Sequence, residues 1–206
     1  MHILHLDSSI LGDASASRAL SAALVAQLLA QQPGATVVRR DLVANPVAHL
    51  DGAIAAGFRP IQGGAAGPAQ HAEHARSEEL VRELLASDVI VIGSPMYNLS
   101  IPSQLKAWID RVVQPGMTFR YTDTGPVGLA GGKHVIVVST RGGMYSDGPA
   151  AAMDFQEAYL KAVFGFMGID RVQIMRAENL SRGREARAQS LPAAHATLAE
   201  IAAMAG

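Results

Sequence analysis

Five short apolar or β-branched segments recur along the chain, and each is separated from the next by a stretch long enough to hold a helix. They cover residues 2–7, 36–40, 89–94, 135–140 and 171–175. The third and fourth segments are apolar almost without interruption, which is typical of strands covered on both faces of a parallel sheet. Because parallel neighbours must be joined by crossover connections, this alternation restricts the chain to an α/β fold.

The intervals between these segments show the spacing of amphipathic helices. In three of them apolar residues share one helix face, namely Leu20, Ala23, Leu24 and Leu28; Leu105, Trp108, Ile109 and Val112; and Phe155, Ala158, Tyr159, Ala162 and Phe166. A further helix is predicted over residues 71–87, and the tail from 184 to 204 has a helical pattern apart from Pro192. Pro102 suits the first turn of its helix, where no amide donor is needed.

Five strands alternating with helices predict a three-layer α/β sandwich, formed as one domain by residues 1–206. A flavodoxin-like, five-stranded parallel sheet in the order 2-1-3-4-5 is favoured over a larger Rossmann sheet because the sequence offers five strands. In that order the topological switch point lies between the first and third strands. A ligand is therefore expected beyond the carboxyl ends of these strands.

Composition excludes several classes of function. The 206 residues include 17 Lys and Arg and 18 Asp and Glu, and the net charge of −1 gives no bulk attraction to nucleic acid or anionic lipid. The absence of cysteine removes disulfides and thiol chemistry, so any redox reaction must use a bound cofactor. No apolar run reaches membrane-spanning length, and the first residues lack a signal-peptide pattern. We therefore expect a cytoplasmic protein that binds neither membrane nor nucleic acid.

Four serines lie between the first strand and the first helix, namely Ser8, Ser9, Ser15 and Ser17. Of these, Ser15 and Ser17 stand where hydroxyls and free amides near a helix N-terminus can bind a phosphate. Ordinary N-capping by one of these serines is the alternative, and their position at the switch point favours phosphate. For Arg18, a contact to the phosphate and a solvated position on the helix face are both compatible with the sequence.

Two further loops follow the third and fourth strands. The first combines Met96, Tyr97 and Asn98, whose apolar, aromatic and amide groups can hold a flat heteroaromatic ring; simple packing of the first two is the alternative. The second, residues 139–143, contains adjacent glycines that let backbone amides approach a ligand and stabilise negative charge. Arg141 taken alone is interpreted as a structural or surface arginine.

Two stretches, 42–70 and 115–133, are longer than ordinary connections, and each contains five glycines together with prolines. Stretches of this length inside a compact domain usually cover a site or form an interface. For residues 61–68, a mobile surface excursion is the alternative interpretation.

Apolar groups in these two stretches suggest a partner surface. Four of these apolar residues are expected to be difficult to bury in a monomer, namely Ile54, Phe58, Phe119 and Tyr121. A homodimer would cover them, and Phe119 and Tyr121 are then expected to form part of a substrate pocket over the ligand of one or the other subunit.

Other patterns do not support different chemistry. Gly128–Lys133 resembles a phosphate-binding loop in composition, but it lacks the spacing of that motif and precedes a strand. His71 and His74 are three residues apart without an evident third ligand, so we expect no metal site. The sequence has no G-x-S-x-G motif, which argues against a hydrolase.

Three motifs taken in order are more specific than any one of them. The S-x-S pattern at 15–17, P-M-Y-N at 95–98 and T-R-G-G at 140–143 each follow a predicted strand. Together they resemble the FMN-dependent NADH-azoreductases of the flavodoxin-like quinone reductase superfamily. Corresponding elements at 118–121 and 165–169 extend the resemblance over nearly the whole chain.

The resemblance implies a homodimer with one FMN bound non-covalently to each subunit. It implies that three groups of residues hold the cofactor. The phosphate region would be held by Ser9, Ser15, Ser17 and the amide of Ala16, and the isoalloxazine would be lined by Met96, Tyr97, Asn98 and Leu99. The pyrimidine edge of the flavin would be held by Thr140, Arg141, Gly142 and Gly143. Family members often have Gln at the position of Ala16, Phe at that of Leu99 and Ser at that of Thr140. The first two departures remove side-chain contacts, whereas Thr140 keeps a hydroxyl.

The implied activity is ping-pong hydride transfer from NADH or NADPH through FMN to a quinone or an aromatic azo compound. The flavin carries this chemistry, and no side chain is required as an obligatory acid or base. Arg59 is compatible with a contact to a 2′-phosphate and equally with an exposed structural role. A flavodoxin-like electron carrier and a non-catalytic flavin-binding regulator are the alternatives, and the nearly neutral composition disfavours the carrier.

Overall fold

A computed structural model describes residues 1–59 and 67–205 of the chain. Its strands are β1 (His2–Asp7), β2 (Thr36–Asp41), β3 (Val89–Pro95), β4 (Phe119–Thr122), β5 (Gly125–Gly128), β6 (His134–Thr140) and β7 (Arg171–Ala177). Its helices are α1 (Ala16–Gln31), α2 (Gly52–Ala55), α3 (Pro68–Ala86), α4 (Ser103–Val112), α5 (Phe155–Phe166), α6 (Arg184–Ala196) and α7 (Leu198–Ala203). The interpretation of residues 61–68 falls mostly outside the described residues.

Five of the strands form one parallel sheet in the order β2-β1-β3-β6-β7. Counted among the parallel strands alone, this is the predicted order 2-1-3-4-5, so the fold prediction is confirmed. In the centre of the sheet, Ile92 of β3 lies beside Leu6 of β1 and Val137 of β6. The carboxyl ends of β1, β3 and β6 are therefore neighbours.

Alternate side chains of the central strands enter two separate apolar cores. Ile90 and Ile92 join the core that includes Trp108 of α4 and Phe164 of α5. On the opposite face, Val91 belongs to the core that α1 and α7 complete. Because both faces of the sheet are covered, its strands are apolar almost throughout, as the three-layer prediction requires.

The stretch 115–133, predicted to be a long loop, contains an antiparallel hairpin of β4 and β5. It lies against the end of α5, and the approach is so close that a Cβ on Gly128 would fall 2.1 Å from the amide nitrogen of Gly168. Only a residue without a side chain fits there. Short strands rich in glycine and proline carry a weak local pattern, which explains why the hairpin was missed.

The helical tail also differs in detail from the prediction. Helix α6 continues through Pro192, although the proline removes one amide donor and its ring crowds the carbonyl four residues earlier. The break falls at Thr197, whose hydroxyl donates to the carbonyl of Ala194 at 2.9 Å. Within residues 1–59 and 67–205, the helices are too short or too polar to cross a membrane.

Candidate functional site

Three loops converge where β1, β3 and β6 end, at the edge of the sheet that the sequence analysis selected. The first loop is joined to the end of β3 by Ser8, whose hydroxyl donates to the carbonyl of Gly93 at 2.7 Å. The second is joined to the end of β6 because the amide of Met96 donates to the carbonyl of Thr140 at 2.8 Å. A serine hydroxyl and main-chain groups thus hold the three loops together.

The N-terminus of α1 presents donors that the protein leaves unused. Ser15 caps the helix by accepting from the amide of Arg18 at 3.3 Å, and its hydroxyl lies 3.0 Å from that of Ser17. Among the described residues, the amides of Ala16 and Ser17 find no hydrogen-bond partner. Free amides and two buried hydroxyls at the positive end of a 16-residue helix suit an anion such as phosphate. Capping and phosphate binding are therefore compatible roles for these serines.

Arg18 has neither of the two positions considered from the sequence. Its guanidinium binds both carboxylate oxygens of Asp41 at 2.5 and 2.7 Å, and it donates to the carbonyl of Ser9 at 2.9 and 3.2 Å. The hydrogen bond from Arg18 holds the pKa of Asp41 well below its usual range. Arg18 therefore fastens the serine loop to the end of β2, and Asp41 balances its charge.

The loop after β3 contains a tight turn with an unusual backbone. Tyr97 and Ser100 exchange two main-chain hydrogen bonds of 3.0 Å, and the two residues between them, Asn98 and Leu99, have φ angles of 48° and 73°. This is the pattern of a type I′ turn. Left-handed backbone at a residue such as leucine costs on the order of 1–3 kcal/mol, and strain of this kind concentrates at functional sites.

Tyr97 connects the second loop to the first. Its hydroxyl lies 3.2 Å from that of Ser9 and accepts from the amide of Ile10 at the same distance. The ring is half-buried while Asn98 beside it is exposed. Tyr97 therefore has a polar contact as well as packing, which favours a positioned ring over a side chain that only fills space.

The third loop, after β6, exposes two more unused donors. The carbonyls of Arg141, Gly142 and Gly143 accept from the amides of residues 180, 181 and 179, each at 3.0 Å. Within the described part of the chain, the amides of Gly142 and Gly143 have no partner. Because the carbonyls are engaged, the peptide planes are fixed and their free N–H groups are available to a ligand.

The side chain of Arg141 is fully buried and does not present its charge at the site. It donates to Ser139 at 2.9 Å, and it forms ion pairs with Asp154 at 2.8 Å, Glu178 at 3.4 Å and also Glu157. Sequence reasoning missed these three acidic partners. Asp154 and Glu157 stand at the N-cap and third positions of α5, so their spacing in the sequence indicates a helix start and gives no sign of a contact with Arg141.

The two aromatic residues of β4 lie in different environments. Phe119 is 4% exposed and its ring packs against that of Phe166 at 4.6 Å, whereas Tyr121 is 74% exposed. Ile54 is also buried within the single chain. The expectation that Ile54 and Phe119 need a partner to be buried is wrong, because α3 and α5 supply the surfaces that cover these stretches. Tyr121 retains an unsatisfied apolar surface.

Fold and site together define the class of protein. Residues 1–202 match the family described as having a flavodoxin-like fold, and the chain belongs to this family. It is similar to an FMN-dependent NADH:quinone oxidoreductase of Ralstonia nicotianae, with 68% identity over 201 residues covering 98% of this chain and 97% of the relative. The corresponding values for FMN-dependent NADH:quinone oxidoreductase 2 of Xanthomonas euvesicatoria are 60% identity and coverage of 98% and 93%.

A solved structure agrees with these sequence relatives. An azoreductase from Bacillus anthracis matches this chain with a TM-score of 0.88 and 27% identity, over 98% of both chains. The resemblance stated from the three motifs is thereby confirmed. The unused amides at α1 and after β6 provide an independent test of fit, and they suit a flavin mononucleotide with its phosphate at one end and its polar ring edge at the other.

Proposed function

We propose that this chain is an FMN-dependent NAD(P)H oxidoreductase that reduces quinones and aromatic azo compounds. The observation that carries the proposal is the pair of free amides at Ala16 and Ser17 together with the pair at Gly142 and Gly143 on the same sheet edge. One pair suits a phosphate, and the other suits the electron-rich edge of a flavin. Residues 1–206 would form one domain around this cofactor.

Each loop has a role in holding the cofactor. Ser9, Ser15, Ser17 and the amide of Ala16 bind the phosphate region; Met96, Tyr97, Asn98 and Leu99 line the isoalloxazine; and Thr140, Gly142 and Gly143 meet its pyrimidine edge. When bound, FMN supplies the two-electron chemistry, accepting hydride from reduced nicotinamide and passing it to the acceptor in a ping-pong sequence. The protein contributes the binding and orientation of the cofactor and the fixed dipoles around it. We place the reaction in the cytoplasm, where NADH is available.

Exposed apolar side chains support a homodimer as part of this proposal. Ile10 and Leu11 in the first loop and Phe155 at the start of α5 lie at the site and are each more than half exposed. Tyr121 on β4 is also more than half exposed, but its contact with Phe119 places it toward the opposite end of α5. Exposed apolar groups of this kind are typical of an interface or of a pocket for an apolar substrate. In a dimer, Tyr121 would help to enclose a flat aromatic acceptor.

The test is reconstitution followed by turnover. Purified protein incubated with FMN and dialysed should keep a flavin absorption band, and heat should release FMN without FAD. The loaded protein alone should oxidise NADH when a quinone is added. Retention of flavin without turnover would favour an electron carrier or regulator, and a protein that retains no flavin would refute the proposal.

A further inference from the structure

One carboxylate closes the loop after β6 into a fixed bend. Glu178 accepts from the amide of Tyr145 at 2.8 Å and from that of Ser146 at 2.9 Å, and it also binds the hydroxyl of Ser146. Although burial alone would raise the pKa of Glu178, these hydrogen bonds and nearby Arg141 keep it below its ordinary value. The carboxylate therefore remains charged at neutral pH and ties the far end of the loop to the end of β7.

Arg141 holds the near end of the same loop. Its amide donates to the carbonyl of Ala177 at 2.9 Å, and its guanidinium reaches Glu178 on one side and Asp154 on the other. Asp154 caps the N-terminus of α5, and the next amide, that of Phe155, donates to the carbonyl of Leu99 at 3.1 Å. Arg141 is thus connected to both the bend after β6 and the turn after β3.

Gly142 and Gly143 lie between these two anchors. Glycine resists conformational change less than any other residue, so the direction of the two peptide planes depends on what holds them. Hydrogen bonds from the amides of residues 179–181 fix the planes relative to the segment after β7, and the contacts of Glu178 with Arg141 and with the bend fix that segment relative to the loop. Donors act strongly on a ligand when their direction is fixed before the ligand arrives. The anchors supply that fixed direction without themselves contacting the ligand.

We propose that Arg141 and Glu178 are positioning residues that aim the amides of Gly142 and Gly143 at the N1 and O2 atoms of the flavin. This inference rests on the proposed FMN site. It moves Arg141 from direct cofactor contact to the support beneath it, and it adds a residue, Glu178, that no motif indicated. On this inference, the preference of the protein for a flavin with a hydrogen-bond acceptor at N1 depends on side chains that do not touch the flavin.

The experiment compares FMN with 1-deaza-FMN, in which a C–H group replaces the N1 acceptor. Isothermal titration of apoprotein gives a dissociation constant for each, and the wild type should prefer FMN at least about tenfold, the factor that corresponds to one lost hydrogen bond to a charged or polarised acceptor. In Arg141→Lys, which keeps the charge but not the fork of donors, the preference should fall to less than about threefold.

Glu178 supplies a variant that leaves the core intact. Glu178→Ala should lose the preference, whereas Glu178→Gln, whose amide oxygen can still accept from Tyr145 and Ser146, should retain most of it. Arg176→Gln is the matched control, because it removes a cation from the same acidic cluster without touching the loop. The control should discriminate as the wild type does.

The outcomes separate the two proposals. An unchanged preference in Glu178→Ala and Arg141→Lys would overturn the positioning role, as would an equal loss in Arg176→Gln, which would assign the effect to charge. A wild-type protein that binds neither flavin would refute the FMN site itself, and the positioning role with it.

Discussion

Arg18 and Asp41 form a bidentate ion pair across the end of the sheet, with distances of 2.5 and 2.7 Å. The same guanidinium also binds the carbonyl of Ser9, so the pair connects the serine loop to the strand at the sheet's edge. Both side chains are largely shielded from solvent. The geometry of the proposed phosphate site therefore depends on a residue, Asp41, that does not belong to the site.

Asp41→Asn should destabilise the protein and weaken FMN binding together. The substitution removes the bidentate partner of Arg18 and leaves the carboxylate of Asp7, 4.0 Å away, and the loss of such charged hydrogen bonds typically costs about 1–3 kcal/mol. Urea unfolding of the apoprotein measures the first effect and FMN titration the second. Asp110→Asn is the control, because the exposed pair of Lys106 and Asp110 contributes less than about 1 kcal/mol. Equal losses in both variants would contradict a specific role for Asp41.

The contribution of Asp41 should also depend on pH in a defined direction. Arg18 lowers the pKa of this carboxyl in the folded protein, so the folded state binds its proton less readily than the unfolded state does. The stabilisation is complete above the unfolded aspartate pKa of about 4 and is lost as pH falls toward the lower folded value. The difference in unfolding free energy between the wild type and Asp41→Asn should stay constant between pH 5 and pH 7, because both pH values lie about 1 unit or more above that pKa. A gap that widened on acidification would refute this.

Ser17→Ala should weaken FMN without unfolding the start of α1, because Ser15 and not Ser17 caps the helix. Loss of one hydrogen bond to a charged phosphate corresponds to about 1.5–3 kcal/mol. Riboflavin, which has no phosphate, is the control ligand and should bind the variant as it binds the wild type. Parallel losses for both flavins would instead indicate a disturbed loop.

Leu99 tests the strained turn. At a φ of 73°, a β-branched side chain meets the backbone more severely than an unbranched one. Leu99→Ile should therefore be less stable than Leu99→Met by about 1 kcal/mol, although both keep an apolar chain of similar size. Thermal or urea unfolding of the two variants measures this difference. Equal stabilities would show that the turn relaxes without cost.

Removal of the aromatic ring should destabilise the protein much more at Phe119 than at Tyr121. Phe119→Ala creates a cavity beside Phe166 and should cost about 3–5 kcal/mol of stability. Tyr121→Ala removes a largely exposed ring that packs edge-to-face on Phe119 with 5.3 Å between ring centroids, so the stability of the folded chain should fall by only about 0.5–1.5 kcal/mol while the KM for a quinone changes.

For the proposed homodimer, light scattering should give about twice the 21.6 kDa chain mass. A fully active monomer would refute the shared pocket.

The sequence by itself determined the strand order and the edge of the sheet where the site lies. Both depend on local signals, namely continuous apolar strands, the spacing of helix faces and small or polar residues after three strands. It also predicts a ligand contact at Gly142 and Gly143, because adjacent glycines after a buried strand indicate a backbone that a ligand can approach. Each of these signals is contained within a short segment.

The tertiary structure alone decided which charged groups pair and which aromatic rings are buried. Arg18 meets Asp41 across 23 residues, and Arg141 meets Glu178 across 37. Nothing near an arginine in the sequence indicates which distant carboxylate it will face, since that choice depends on how strands and loops pack. Phe119 illustrates the same limit, because its burial requires α5 to lie against the hairpin. The physical reason is that such contacts are created by chain topology and not by local pattern.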